Sequence, residues 1–358
     1  MSKLVIELTD RCNLRCQHCP SGRHGGRGEL DLSLLDRVLD QASAQGIDYL
    51  AFTGGEPTLH SRFPEILRRT ATAGYHFSLV SNGWVVAQRL EQLLPYRDQL
   101  FFISFSLDGA REVTHDAQRG AGSFRRLMQA ASACMRRDIP FAFNMSLTRR
   151  NWCEAGEVVE LASRLGSRRI KFIHLMNTPL VAAADLVLSP AELKEVDRWL
   201  RELQATYDFP VVLAAGGHAL DLSPCTPLRS KSFNLDWQGN VGLCCNLSGL
   251  DGTGGAEETV GNLWTFTLGE AMERLQLIRQ QLHSHKLHRQ AEGRWRDSDY
   301  FPCWYCSNYF HKVNWLRRQP DHPWHAALHE ELHHDVDPGQ PTTGSPRRDH
   351  YRIAGDAG

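Results

Sequence analysis

Along the first half of the chain, short runs of branched and aromatic residues alternate with longer runs in which apolar residues return every three or four positions. The short runs KLVIEL (3–8), IDYLAFT (47–53), HFSLVS (76–81), LFFISFS (100–106), FAFNMSL (141–147) and RIKFIHL (169–175) have the length and composition of β-strands. Helical patterns lie between them, such as LSLLDRVLDQASAQG, which stops on Gly46, and GSFRRLMQAASACMRRD. Six strand-then-helix units in succession predict an α/β fold, its parallel strands joined by right-handed crossovers. Ligands of such sheets bind beyond the carboxyl ends of the strands.

The chemically distinctive residues fall in those loops. Cys12, Cys16 and Cys19 follow the first strand, TGGEP (53–57) the second, SNG (81–83) the third and SLDG (106–109) the fourth. No apolar run suits a signal peptide, and none approaches the roughly 18 residues a membrane helix needs, so a cytoplasmic chain with reduced thiols is expected. Ten cysteines in 358 residues are too few for a disulfide scaffold. Clustered reduced thiols point to metal. A net charge of −1 gives no basic footprint for nucleic acid or for an anionic membrane.

Three thiolates spaced C-x3-C-x2-C suit three irons of a cubane, which has four; zinc is the alternative, although a structural zinc site wants four closed ligands. The run CNLRCQHC resembles the signature of radical S-adenosylmethionine (SAM) enzymes. That resemblance implies a partial (β/α)6 barrel in which Cys12, Cys16 and Cys19 hold a [4Fe-4S] cluster. It also implies that SAM chelates the open iron and that one-electron reduction releases a 5′-deoxyadenosyl radical. His18 stands where the family usually keeps an aromatic near the adenine. Gly54, Gly55, Glu56 and Pro57 are similar to the family's methionine-binding motif: glycines for close backbone approach, a carboxylate for a cationic amino group. Ser81 and Asn82, with Ser106 and Asp108, resemble its ribose and carboxylate loops, though turn residues alone would read the same way.

The stretch SLDGAREVTHDAQRGAGSF is similar to a branch of the family that carries extra iron-sulfur clusters in a C-terminal extension. In the second half, NLDWQGNVGL reads as a β-hairpin, followed by Cys244 and Cys245, and Cys303 and Cys306 form CWYC. By spacing alone, a C-x2-C pair with two distant thiols suits zinc or iron-sulfur. The resemblance of WQGNVGLC and VGNLWTFTLGEAMERL to the branch's hairpin and following helix decides for an auxiliary [4Fe-4S] cluster on Cys225, Cys244, Cys303 and Cys306. If Cys244 and Cys245 lie on a strand they point to opposite faces, which leaves Cys245 free as a candidate hydrogen-atom donor. No cysteine follows Cys306, so the extension looks like a shortened, single-cluster form of the one called SPASM. Cys134 and Cys153 are expected to be buried and inert. His325, His329 and His333 fall at helical spacing; such a face could hold a metal ion, but a solvated helix with incidental histidines is the favoured expectation.

The expected domains are 1–205 (partial barrel), 206–315 (a small auxiliary-cluster extension, hairpin plus helix) and 316–358 (a helical segment and a disordered tail). The resemblance implies a SAM-cleaving enzyme supplied with electrons by a flavodoxin or ferredoxin type reductant. Peptide modification is the leading reading, and dehydrogenation of a sugar, aminocyclitol or other small molecule is a near equal. The chain begins directly with the first strand, without a leader-binding module before it, which weakens the peptide reading. A non-catalytic iron-sulfur scaffold or electron carrier would not need the GGEP loop.

Overall fold

The computed structural model describes residues 2–19, 26–230, 232–250 and 257–329. Residues up to Leu328 form one compact unit, and a second begins at His329. The six expected strands are present as β1 (Lys3–Glu7), β2 (Tyr49–Thr53), β3 (His76–Ser81), β4 (Leu100–Ser106), β5 (Phe141–Leu147) and β6 (Ile170–His174), each paired in parallel with the next. Helices connect them. The first of these, Leu32–Ala42, starts where the Asp31 carboxylate accepts from Ser33 N at 2.8 Å, and the chain leaves its end through Gly46 in the left-handed region.

Four further strands join the same sheet: β7 (Val211–Leu213), β8 (Ser232–Leu235), β9 (Asn240–Gly242) and β10 (Thr259–Asn262). The order is β10-β9-β8-β1-β2-β3-β4-β5-β6-β7. The expected hairpin is therefore β8–β9, and its first strand pairs in parallel with β1, from Lys3 opposite Ser232 to Ile6 opposite Leu235. β7 adds three residues beside β6, a run too short to stand out in the sequence.

One face of the sheet packs on the helices, where Leu4, Ile6, Phe52, Ile170 and Phe172 are fully buried. The alternate residues Lys3, Glu7, Tyr49, Asn144 and Lys171 are only half-buried. β1 and β6 are five strand steps apart, roughly 24 Å at ~4.8 Å per step if the sheet were flat. Yet, after burial, the Lys3 ammonium is the next cause lowering the proton affinity of Lys171, and Arg169 acts on Tyr49 of β2. Charges on opposite walls reach each other, so the sheet curls with this face inside. The result is an open, partial barrel.

The loops at its carboxyl-terminal rim are sewn together by backbone. Gly55 N donates to Thr9 O and Glu56 N to Arg11 O, both at 2.7 Å. A Cβ on Gly54 would stand 2.2 Å from Thr9 O, and one on Gly55 2.2 Å from Arg11 O; Gly54 also has φ +133°. The two glycines thus admit the cysteine loop itself. Gly54→Ala should cost about 1–3 kcal/mol in chemical unfolding, more than Gly46→Ala, which has positive φ but open space around it. Equal losses would show that the close approach carries no energy.

Candidate functional site

The cysteine loop leaves β1 at Leu8 and is held from several sides. Thr9 bridges to Glu29, and Gln17 N donates to Gln118 O at 3.0 Å. Cys12, Cys16 and Cys19 are all half-buried, and Cys19 N donates to Cys16 O at 3.2 Å. The thiols lie within electrostatic reach of one another, since a charge on Cys19 would raise both Cys12 and Cys16. Burial raises the Cys12 thiol and, with Arg119 opposing, pushes Cys16 up to about 11. Side-chain donors face the sulfurs: Asn82 Nδ2 lies 3.9 Å from Cys12 Sγ, and Arg119 Nη1 3.8 Å from Cys16 Sγ.

Glu56 is fully buried, and both its oxygens are engaged inside the protein. Oε1 accepts from Thr58 Oγ1 at 2.5 Å and Ser81 Oγ at 2.9 Å, while Oε2 accepts from Asn82 N at 2.8 Å. Burial raises its pKa against these donors. Pro57 opens a single 3-10 turn that Glu56 caps. Glu56, Ser81 and Asn82 thus lock the GGEP and SNG loops to each other, and Asn82 Nδ2 continues to Asn13 Oδ1 at 3.0 Å in the cysteine loop.

Asp108 is also fully buried. Its Oδ2 accepts from Arg119 Nε and lies 3.1 Å from His18 Nε2, and its Oδ1 accepts from Ser146 N at 2.8 Å. Burial alone would raise its pKa, but Arg119 and His18 outweigh it and hold the carboxyl well below the usual range. His18 is therefore fixed by a carboxylate, and its Nδ1 is buried without a partner. His115 accepts from Asp108 N through Nδ1 at 3.1 Å, and burial, helped by Arg119, lowers it to about 4. Ser106 is half-buried at the end of β4. Arg119 is the residue that sequence reasoning missed; it sits in the quoted stretch ahead of Gly120, and nothing in the local pattern announces a buried partner for Asp108.

A second group of thiols gathers from three segments. Cys303 and Cys306 stand one turn apart on the helix Pro302–Tyr309, Cys225 lies in a turn before β8, and Cys244 follows β9. Mutual charge effects connect Cys303 with Cys225 and Cys306, and Cys244 with Cys303. Burial pushes Cys303 and Cys306 up to about 12. Asn246 N donates to Cys244 Sγ at 3.4 Å, and the buried Lys286 favours the charged forms of Cys225 and Cys306.

Three expectations need correction. Cys244 and Cys245 are not on a strand: β9 ends at Gly242, and they lie in the turn that follows, where Leu247 N and Ser248 N donate to Cys244 O. Strand alternation therefore does not separate them. Cys245 is exposed and Cys244 half-buried, and the hydrogen bond between them raises Cys244 and lowers Cys245. Cys134 is buried as expected, whereas Cys153 is exposed on a single 3-10 turn. His325 begins another 3-10 turn and His329 lies outside any helix, so they share no helical face; His333 and the expected tail lie outside the described residues.

Among the described residues, no three His, Cys, Asp or Glu side chains converge on one metal ion, and no helix is long and apolar enough to cross a membrane. Cubane ligands need not converge, because each takes a different iron. Three thiols within electrostatic reach of one another, with N–H donors beside two of them, fit such a group.

Residues 6–162 match the sequence profile of the Radical SAM superfamily. The chain is 31% identical over 204 residues to the AdoMet-dependent heme synthase of Methanosarcina barkeri, a match covering 56% of this chain and 58% of that protein. It is 34% identical over 172 residues to the PqqA peptide cyclase of Ruegeria pomeroyi, covering 47% and 46%. The chain thus spans about half the length of the curated relatives it matches. Among solved structures, Streptococcus suis SuiB bound to S-adenosylmethionine superposes with TM-score 0.60 at 15% identity, over 74% of this chain and 64% of that one. Native anSMEcpe with bound AdoMet and Cp18Cys peptide superposes with TM-score 0.62 at 18% identity, over 88% and 97%. The fold is shared with both, and residues 6–162 are similar to the radical SAM superfamily.

Proposed function

We propose that this chain is a radical SAM enzyme that modifies a peptide, with Cys12, Cys16 and Cys19 holding a [4Fe-4S] cluster. The observation that carries the reading is the gathering of these three thiols on one rim loop, beside Asn82 and Arg119. Cys12, Cys16 and Cys19 would hold the cluster, and the chemistry it would supply is the electron for reductive cleavage of SAM, with hydrogen-atom abstraction from the substrate to follow. The protein's part is to hold the loops. Glu56 fixes the GGEP and SNG loops through Thr58, Ser81 and Asn82, and Asp108 fixes His18 and Arg119 under the cysteines. Buried thiols with raised pKa release their protons on taking up metal.

The peptide reading is favoured by the relatives named PqqA peptide cyclase and by the structural neighbours solved with peptides: SuiB with precursor peptide SuiA, and anSMEcpe with the Kp18Cys peptide. The heme synthase relative supports a small-molecule substrate as the second reading. Cys225, Cys244, Cys303 and Cys306 would hold an auxiliary [4Fe-4S] cluster, closed by four thiolates and so suited to electron transfer. Residues 206–315 would form that second module even though β8 joins the sheet of the first. A flavodoxin or ferredoxin type protein would supply the electron.

Anaerobically reconstituted protein should carry about eight irons per chain and convert SAM to 5′-deoxyadenosine and methionine when reduced. Replacing Cys12, Cys16 and Cys19 together by Ala should leave about four irons and abolish cleavage; cleavage that survives sinks the proposal. Cys244→Ala should leave only the SAM-binding cluster intact, whereas Cys245→Ala should retain about eight irons. The reverse pattern would move the auxiliary ligand to Cys245. Cys303→Ala should still form 5′-deoxyadenosine, with circular dichroism as the control for folding.

A further inference from the structure

Two cations are buried in the second half of the chain without a carboxylate to meet them. Arg279 and Lys286 stand two turns apart on one face of the helix Leu268–Ala291, and both are buried. Among the described residues, neither has a carboxylate within ion-pair distance. The other buried cations of this region do: Arg289 Nη2 lies 2.9 Å from Asp299 Oδ2, and Lys312 Nζ lies 2.9 Å from Glu258 Oε2. Arg279 and Lys286 instead hold the backbone around Cys225. Arg279 Nε donates to Pro227 O at 2.7 Å and Nη2 to Ser232 O at 3.5 Å, and Lys286 Nζ donates to Leu222 O at 2.5 Å. The Lys286 ammonium also lies 5.0 Å from the centre of the Tyr305 ring, and Tyr305 stands between Cys303 and Cys306 on their helix. Lys286 therefore bridges two of the three segments that bring thiols to the second group.

A cation taken out of water is costly unless an opposite charge joins it. Carbonyl oxygens satisfy the N–H groups of Arg279 and Lys286, but they do not cancel the charge. Asp221 is within electrostatic reach of Lys286, yet it is exposed and pairs with Arg229. The groups inside the fold that feel the two cations are thiols: Lys286 favours the charged forms of Cys225 and Cys306, and after burial Cys225 is what acts on Arg279. Burial raises Cys225, Cys303 and Cys306, so as free thiols they hold their protons and supply no charge until metal displaces them. A cubane closed by four thiolates is a net anion in both of its oxidation states, and more negative when reduced. It would supply the missing charge, and the cations would favour its reduced state.

We propose that Lys286 and Arg279 are positioning residues for the auxiliary cluster: they clamp the Cys225 turn and balance the cluster's negative charge, which raises its reduction potential. The inference rests on the auxiliary-cluster reading above and adds what tunes that cluster. Its test is a redox titration of the reconstituted full chain with SAM, followed by electron paramagnetic resonance, in which the signal that changes on adding SAM marks the other cluster. Lys286→Gln keeps a donor for Leu222 O and removes the charge. At a fixed ambient potential it should lower the ratio of reduced to oxidised auxiliary cluster about tenfold, ~59 mV for one electron. Arg279→Gln should act in the same direction. Lys286→Arg should keep the ratio of the unaltered chain, and the SAM-binding cluster should be unmoved in all three. A ratio unmoved by either Gln variant would overturn the proposal, as would an equal fall in Lys286→Arg, or loss of about four irons in both Lys286 variants. Loss of iron in Lys286→Gln alone, with Lys286→Arg intact, would support it, because the charge would then be what retains the cluster. The unaltered chain separates the two claims: about four irons there would overturn the auxiliary cluster and this inference with it, whereas about eight irons with an unmoved potential would overturn this inference alone.

Discussion

The rim of the barrel depends on one buried charge. Asp108 has no solvent exposure, and an ionised carboxylate there would cost several kcal/mol if it were left alone. It is ionised because Arg119, His18 and the amide of Ser146 converge on it. Those partners come from the helix Glu112–Arg119, the cysteine loop and β5. One carboxylate therefore ties three segments to the end of β4, and Arg119 passes the link on to Cys16. Removing Arg119 would strand the charge and loosen the floor beneath the thiols together.

Glu56 does the same work on the other side of the loop with hydrogen bonds alone. It spends both oxygens on Thr58, Ser81 and Asn82, so its contribution to any ligand passes through the loops it orders. The glycines beside it follow the same logic: the space that a Cβ would fill is already taken by Thr9 O and Arg11 O. Motif residues that suggest ligand contact in the sequence are, to a large extent, residues by which loop meets loop. That is why they must stand together, since under the proposed function a cluster on one loop and a cofactor across three others would need the four loops in fixed register.

The six parallel strands were legible because each carries a dense apolar run, and the position of the thiols followed from which strand they come after. The second half was legible by motif but not by topology. NLDWQGNVGL announces a hairpin, but nothing in it announces that Phe233 and its neighbours add to β1 some 230 residues earlier. Cys244 and Cys245 were misplaced onto a strand because apolar Val241 and Leu243 extend the pattern by a residue past the last ladder pair. The buried pairing of Asp108 with Arg119 was invisible because a charge-bearing helix end reads as solvated until the tertiary fold covers it. Lys171 was hidden by the same rule: in a strand of mostly apolar residues a single lysine looks like an exposed position, and only the curl of the sheet turns it inward.

The central claim is that Cys12, Cys16 and Cys19 leave one iron of their cluster open and that SAM takes it. Electron-nuclear double resonance on the reduced, reconstituted protein with SAM labelled by 15N in its amino group and 17O in its carboxylate addresses this directly. Hyperfine coupling of both labels to the paramagnetic cluster is the expected result. SAM that binds without coupling to the cluster would contradict the account.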